Sequence, residues 1–82
     1  MQQIAIAPGA KAEALFEMGL ACAAGRMGDV DLVAAHKWFN LAAMQGDARA
    51  AEERAEVAAQ MSKDELAAAL REARLWLGAT RH

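Results

Sequence analysis

Proline, tyrosine and β-branched residues are scarce in this chain of 82 residues, which has one proline, no tyrosine and only 5% aromatic residues. Strands favour β-branched and aromatic side chains, so the composition gives little support for a sheet. Alanine, the best helix former, makes up more than a quarter of the sequence. We therefore predict an all-α fold in a single small domain, because a chain of this length can bury only one modest core.

Cysteine and clustered basic residues are also scarce. Cys22 is the only cysteine, so an internal disulfide is excluded, as is typical of proteins from a reducing compartment. The formal net charge is −2 and no cluster of Lys or Arg occurs, which disfavours a nucleic-acid partner. The first ten residues lack a basic start and are too short for a signal peptide or a membrane span. We expect a soluble, cytoplasmic protein without a membrane partner.

Helix boundary signals divide the first half of the chain into two helices. The first is expected over 10–24, where Gly25 suits the left-handed residue that ends a helix. Asp31 is an N-cap candidate for the second, which should end at Gly46.

Two further helices are predicted in the second half. Asp47 can cap the third, which extends to about Gln60 and in which Arg49 and Glu53 could form a favourable pair four residues apart. Ser62 and Glu65 match the capping box at the start of the fourth, which should extend to about residue 77 and stop at Gly78.

Short links between these helices predict two antiparallel helix hairpins. At 100° per residue, Trp38 and Phe39 both lie on the apolar side of the second helix. Gly19 costs about 1 kcal/mol relative to alanine inside a helix, so a close approach of two helices is the simplest reason for it. We expect Trp38 and Phe39 to fill the wedge beside that contact, and we favour packing over a ligand-binding aromatic pair.

The first hairpin contains a spaced pattern of small residues, one aspartate and two aromatic residues: Ala14, Gly19, Gly25, Asp31, Ala35, Trp38, Phe39, Ala42, Ala43 and Gly46. This pattern resembles the Sel-one-like repeat, a two-helix relative of the tetratricopeptide repeat. The family usually has Tyr at the position of Cys22, and Met27-Gly28 replaces its Gly-Val in the loop.

The resemblance implies a minimal α-solenoid fragment that binds a protein without catalysis. It covers the repeat hairpin over 10–46, whereas 47–78 is expected to be a divergent hairpin or a capping helix pair. Ala73 and Trp76 repeat the Ala-x-x-Trp spacing of the first hairpin. Residues 1–9 are interpreted as an N-terminal tail whose order stays open.

Three apolar residues outside the motif are candidates for a partner-binding surface: Phe16, Leu20 and Leu75. The first two could line the concave groove of a helical repeat. Alternatively, the third and fourth helices or residues 4–6 could cover them, which is the interpretation we favour. Stacked repeats need about three units for independent stability, so a homodimer is also expected.

Two alternative functions remain open at the level of sequence. Cys22 and His36 could act as a nucleophile and its base in a small thiol enzyme. A helix-turn-helix nucleic-acid binder is a second alternative, which the acidic composition disfavours. His36 and His82 with one cysteine give no zinc pattern, so we expect no metal, no cofactor and no catalytic residue.

Overall fold

Four α-helices make up the regular structure of the residues that the computed structural model describes, which are 11–26 and 28–79. They are α1 (Ala12–Ala24), α2 (Leu32–Met44), α3 (Ala48–Ala58) and α4 (Lys63–Ala79). No strand occurs in these ranges, so the predicted all-α fold class is confirmed. Within the same ranges, none of the helices has the length and apolar character needed to cross a bilayer.

The capping signals of the α1–α2 hairpin are formed as predicted. Gly25 adopts φ 72°, and its N–H donates to the carbonyls of Ala21 and Cys22. The Asp31 carboxylate accepts a hydrogen bond from the N–H of Ala34 at 3.0 Å. Both interactions satisfy backbone groups that a helix end leaves without intrahelical partners. Residues 25–31 form the turn that connects α1 to α2.

The caps of α3 and α4 are also confirmed. The Asp47 carboxylate accepts hydrogen bonds from the N–H groups of Arg49 and Ala50. Ser62 and Glu65 form both bonds of the capping box, at 3.0 and 2.9 Å. The expected pair of Arg49 with Glu53 is not present among the described residues. Arg49 instead binds Asp47 at 3.1 Å, because that carboxylate is already held at the helix start.

Two helix ends differ from the prediction. α1 begins at Ala12, after Lys11, which makes no side-chain capping bond, and residues 1–10 lie outside the described part of the chain. α4 continues through Gly78 to Ala79. Gly78 has no positive φ, which a glycine that ends a helix usually adopts. A single glycine with helical dihedrals costs helix stability but does not terminate the helix.

The core is built around α2, which packs against α1, α3 and α4. Phe39 is completely buried, and its ring lies directly over Gly19 of α1. A Cβ at position 19 would lie 2.5 Å from Cε1 of Phe39, so the missing side chain is what admits the ring. This confirms the expected close approach of α1 and α2 at Gly19.

The predictions that Trp38 fills the wedge beside Gly19 and that Ala14 lies at the helix contact were wrong. Phe39 alone fills the position beside Gly19, whereas Trp38 is half-buried and meets Trp76 of α4 edge-on, with ring centroids 6.0 Å apart. Ala14 is exposed and does not help the helices approach. Helical periodicity places a residue on the apolar side, but it does not say which neighbouring helix that residue will contact.

Candidate binding grooves

A groove of about 910 Å³ lies between the α1–α2 turn and α3. Its apolar part combines buried Val57, half-buried Leu32 and Val30, whose side chain is 56% exposed. Three glutamates of α3, Glu52, Glu53 and Glu56, line the groove together with these apolar side chains. We call it the acidic groove; its lining residues are Ala23, Val30, Leu32, Glu52, Glu53, Ala55, Glu56, Val57 and Gln60.

The carboxylates of the acidic groove have no cationic partner in the described part of the chain. The ion pairs found there join Lys37 to Glu72 and Arg49 to Asp47, and neither involves Glu52, Glu53 or Glu56. Glu52 and Glu56 lie one helical turn apart, so their charges repel across the same face. The groove therefore presents concentrated negative charge above an apolar floor.

A smaller space of about 290 Å³, which is wide open to solvent, lies where α2, α3 and α4 meet. Its polar side chains are His36, Asn40 and Arg54, and the Nη1 of Arg54 donates to Oδ1 of Asn40 at 2.7 Å. Leu66, Leu70, Ala55 and Ala58 supply the apolar remainder. We call this space the arginine cavity.

His36 is the one buried polar residue of the described core, with 4% of its surface exposed. Its Nδ1 is buried without a hydrogen-bond partner. Burial lowers the pKa of the imidazole, and the nearby positive charge of Arg54 lowers that pKa further. The ring is therefore held neutral near pH 7.

The three predicted partner-binding residues lie in different environments. Phe16 is buried, 5.7 Å from the ring of Phe39 and beneath the guanidinium of Arg49, so it presents no surface to a partner. Leu20 is half-buried against the core. The interpretation that the chain covers Phe16 is thus confirmed, with α3 supplying part of the cover. Leu75 is 64% exposed and borders neither groove.

Cys22 and His36 are not joined by a hydrogen bond. The thiol is buried against the core, and burial together with the negative charge of Asp31 raises the pKa of Cys22. A raised pKa reduces the thiolate fraction on which nucleophilic attack depends. His36 lines the arginine cavity, whereas Cys22 lines neither that cavity nor the acidic groove.

Residues of both grooves were missed by the sequence reasoning. Charged residues and alanines alternate through α3, a pattern typical of a solvated helix face. Val57 is nevertheless buried beside Glu53 and Glu56. The spacing of Glu52 and Glu56 around an apolar face was the available signal, although the opposite wall, at Val30, comes from a turn distant in sequence.

No metal site is evident in the part of the chain with defined positions, because it contains no group of three or more His, Cys, Asp or Glu side chains able to hold an ion. Comparison of the chain with models of protein families, with curated proteins and with solved structures finds no match.

Proposed function

We propose that this protein is a non-catalytic protein-interaction module of the adaptor type, whose acidic groove binds a basic segment of a protein partner. The observation that carries the proposal is the set of three unpaired glutamates around the apolar floor of Val30, Leu32 and Val57. The resemblance of 10–46 to the Sel-one-like repeat supports an interaction role. A cytoplasmic location is part of the proposal, since a lone reduced thiol suits that compartment.

The charge of the groove defines the chemistry of its occupant. Lysine and arginine side chains would pair with the glutamates, while an apolar side chain between them would cover Val30. The chain's own residues 1–10 contain no charged side chain, so they do not complement the groove. A segment of another protein in which basic and apolar residues alternate fits both features.

The test is the affinity of a labelled peptide in which Lys and Leu alternate, measured by fluorescence anisotropy. Each exposed ion pair contributes a few tenths to 1 kcal/mol, so replacing Glu52, Glu53 and Glu56 by Gln should weaken binding about tenfold. Binding should also weaken as salt concentration rises, because exposed charges are screened.

A matched control removes the same number of charges elsewhere. Glu13, Glu17 and Asp64 are exposed, take part in neither ion pair of the described residues and lie outside the acidic groove. Replacing these two glutamates by Gln and Asp64 by Asn should leave the affinity within about twofold of the unchanged protein, since the pairs between the groove and the peptide are kept. An equal loss of affinity in both triple variants would mean that net charge, and not the groove, attracts the peptide, and the proposal would fail.

A further inference from the structure

Arg54 carries an unpaired cation at the edge of an apolar cavity. Its guanidinium donates to Asn40, a neutral acceptor, and no carboxylate lies within ion-pair distance of it among the described residues. The chain has eleven acidic residues, so acidic side chains were available to pair with it. Asn40 instead holds the guanidinium in place without neutralising it.

The other walls of the arginine cavity are apolar or neutral. Leu66 and Leu70 of α4 face Ala55 and Ala58 of α3 across it, and the buried imidazole of His36 adds a polar group. One ring nitrogen of His36 has no partner inside the protein, which is uncommon for a buried polar atom. The arginine cavity thus combines one cationic group, the guanidinium of Arg54, with walls of apolar side chains.

We infer that the arginine cavity binds a small aliphatic carboxylate, with the carboxylate on Arg54 and the hydrocarbon against Leu66 and Leu70. A planar guanidinium can donate two parallel hydrogen bonds to a carboxylate, which makes this the favoured pairing for Arg. The volume of about 290 Å³ lies at the lower limit of known ligand pockets, so it suits a ligand of few carbons. This site shares only Ala55 with the lining of the acidic groove, and the inference does not depend on the proposed function.

The test is a titration of the isotopically labelled protein with isovalerate, followed by backbone amide chemical shifts. We expect saturable shifts around His36, Arg54 and Leu70, with a dissociation constant of about 1 to 10 mM for so small a ligand. The neutral isostere isovaleramide should bind at least about tenfold more weakly, because it lacks the charge that pairs with Arg54.

Two variants locate the site. Arg54→Gln should weaken isovalerate binding about tenfold, whereas Arg71→Gln, at an exposed position of α4 outside the cavity, should not change it. Leu70 is 40% exposed, so Leu70→Glu should fold and place a competing carboxylate at the cavity. That variant should abolish binding, and its control Leu75→Glu on the same helix should bind as the unchanged protein does.

Such a carboxylate could belong to the C-terminus of a polypeptide or to a free aliphatic acid. Binding of N-acetyl-alanyl-leucine distinguishes these two sources. Tighter binding of this peptide than of isovalerate would assign the ligand to a polypeptide terminus, and the reverse would assign it to a free acid. Either result supports the site. Equal shifts with isovalerate and isovaleramide, or no saturable shift at about 50 mM of any carboxylate probe, would overturn the inference.

Discussion

Gly19 tests the packing of α1 on α2 at the scale of one residue. Gly→Ala inside a helix normally stabilises by about 0.5 to 1 kcal/mol. Here the new Cβ would lie 2.5 and 2.6 Å from Cε1 and Cδ1 of Phe39, a completely buried ring that would have to shift to admit it. We expect Gly19→Ala to destabilise the protein by about 1 to 3 kcal/mol in denaturant unfolding.

Gly78 is the matched control because a Cβ there would contact nothing within 4 Å. Gly78→Ala should be neutral or stabilise α4 by up to about 1 kcal/mol. If Gly19→Ala were as stable as Gly78→Ala, the ring of Phe39 would not be seated on the α1 backbone.

His36 predicts a pH dependence of stability. Burial and Arg54 hold the pKa of the folded imidazole below its ordinary value of 6.5. Below that pH the unfolded chain takes up a proton that the folded ring does not, so the free energy of unfolding falls as the solution becomes more acidic. The contribution of the neutral His36 ring to the free energy of unfolding is fully present above about pH 6.5. It is lost progressively as the pH falls below that value, toward the lower pKa of the folded state.

The substitution His36→Leu removes the titrating imidazole and, with it, the buried Nδ1 that has no hydrogen-bond partner. Urea unfolding between about pH 7.5 and pH 5 should show a steeper loss of stability in the unchanged protein than in the variant. The variant keeps His82 and every carboxylate. Their effect on the free energy of unfolding is therefore the same in both proteins and cancels in the comparison. Parallel profiles would show that the imidazole is protonated as readily in the folded state as in the unfolded one.

At the scale of elements, the contact between Trp38 and Trp76 joins α4 to α2. The rings meet at an interplanar angle of 85°, an edge-to-face arrangement. Such pairs contribute about 0.5 to 1.5 kcal/mol beyond the area they bury. A double-mutant cycle with Trp38→Leu and Trp76→Leu should give a coupling free energy in that range. Additive single-variant effects would mean that α4 is held by other contacts.

The starts of α2, α3 and α4 were predictable because their capping signals are local. Asp31, Asp47 and the Ser62 capping box each act within three residues, and the structure forms every one of these bonds. The choice of partner helix was not predictable in the same way. Trp38 and Phe39 share the apolar side of α2, yet they contact α4 and α1 respectively, because the arrangement of whole helices decides which neighbour lies there.

At the scale of the molecule, both grooves depend on residues that are distant in sequence. Arg54 and Asn40 are separated by 14 positions, and Val30 meets the α3 glutamates only because the α1–α2 turn folds over them. Composition predicted the all-α class, which the structure confirms. It could not predict where the acidic side chains would gather, since that depends on how α3 lies against the first hairpin.

The binding position of the alternating Lys–Leu peptide can be mapped by following backbone amide shifts of the isotopically labelled protein during titration. If the acidic groove is the binding site, the perturbed amides should concentrate around Val30 and Leu32 and along α3 from Glu52 to Gln60. Perturbations centred on the exposed α4 face around Leu75, or spread evenly over every acidic surface of the protein, would contradict it.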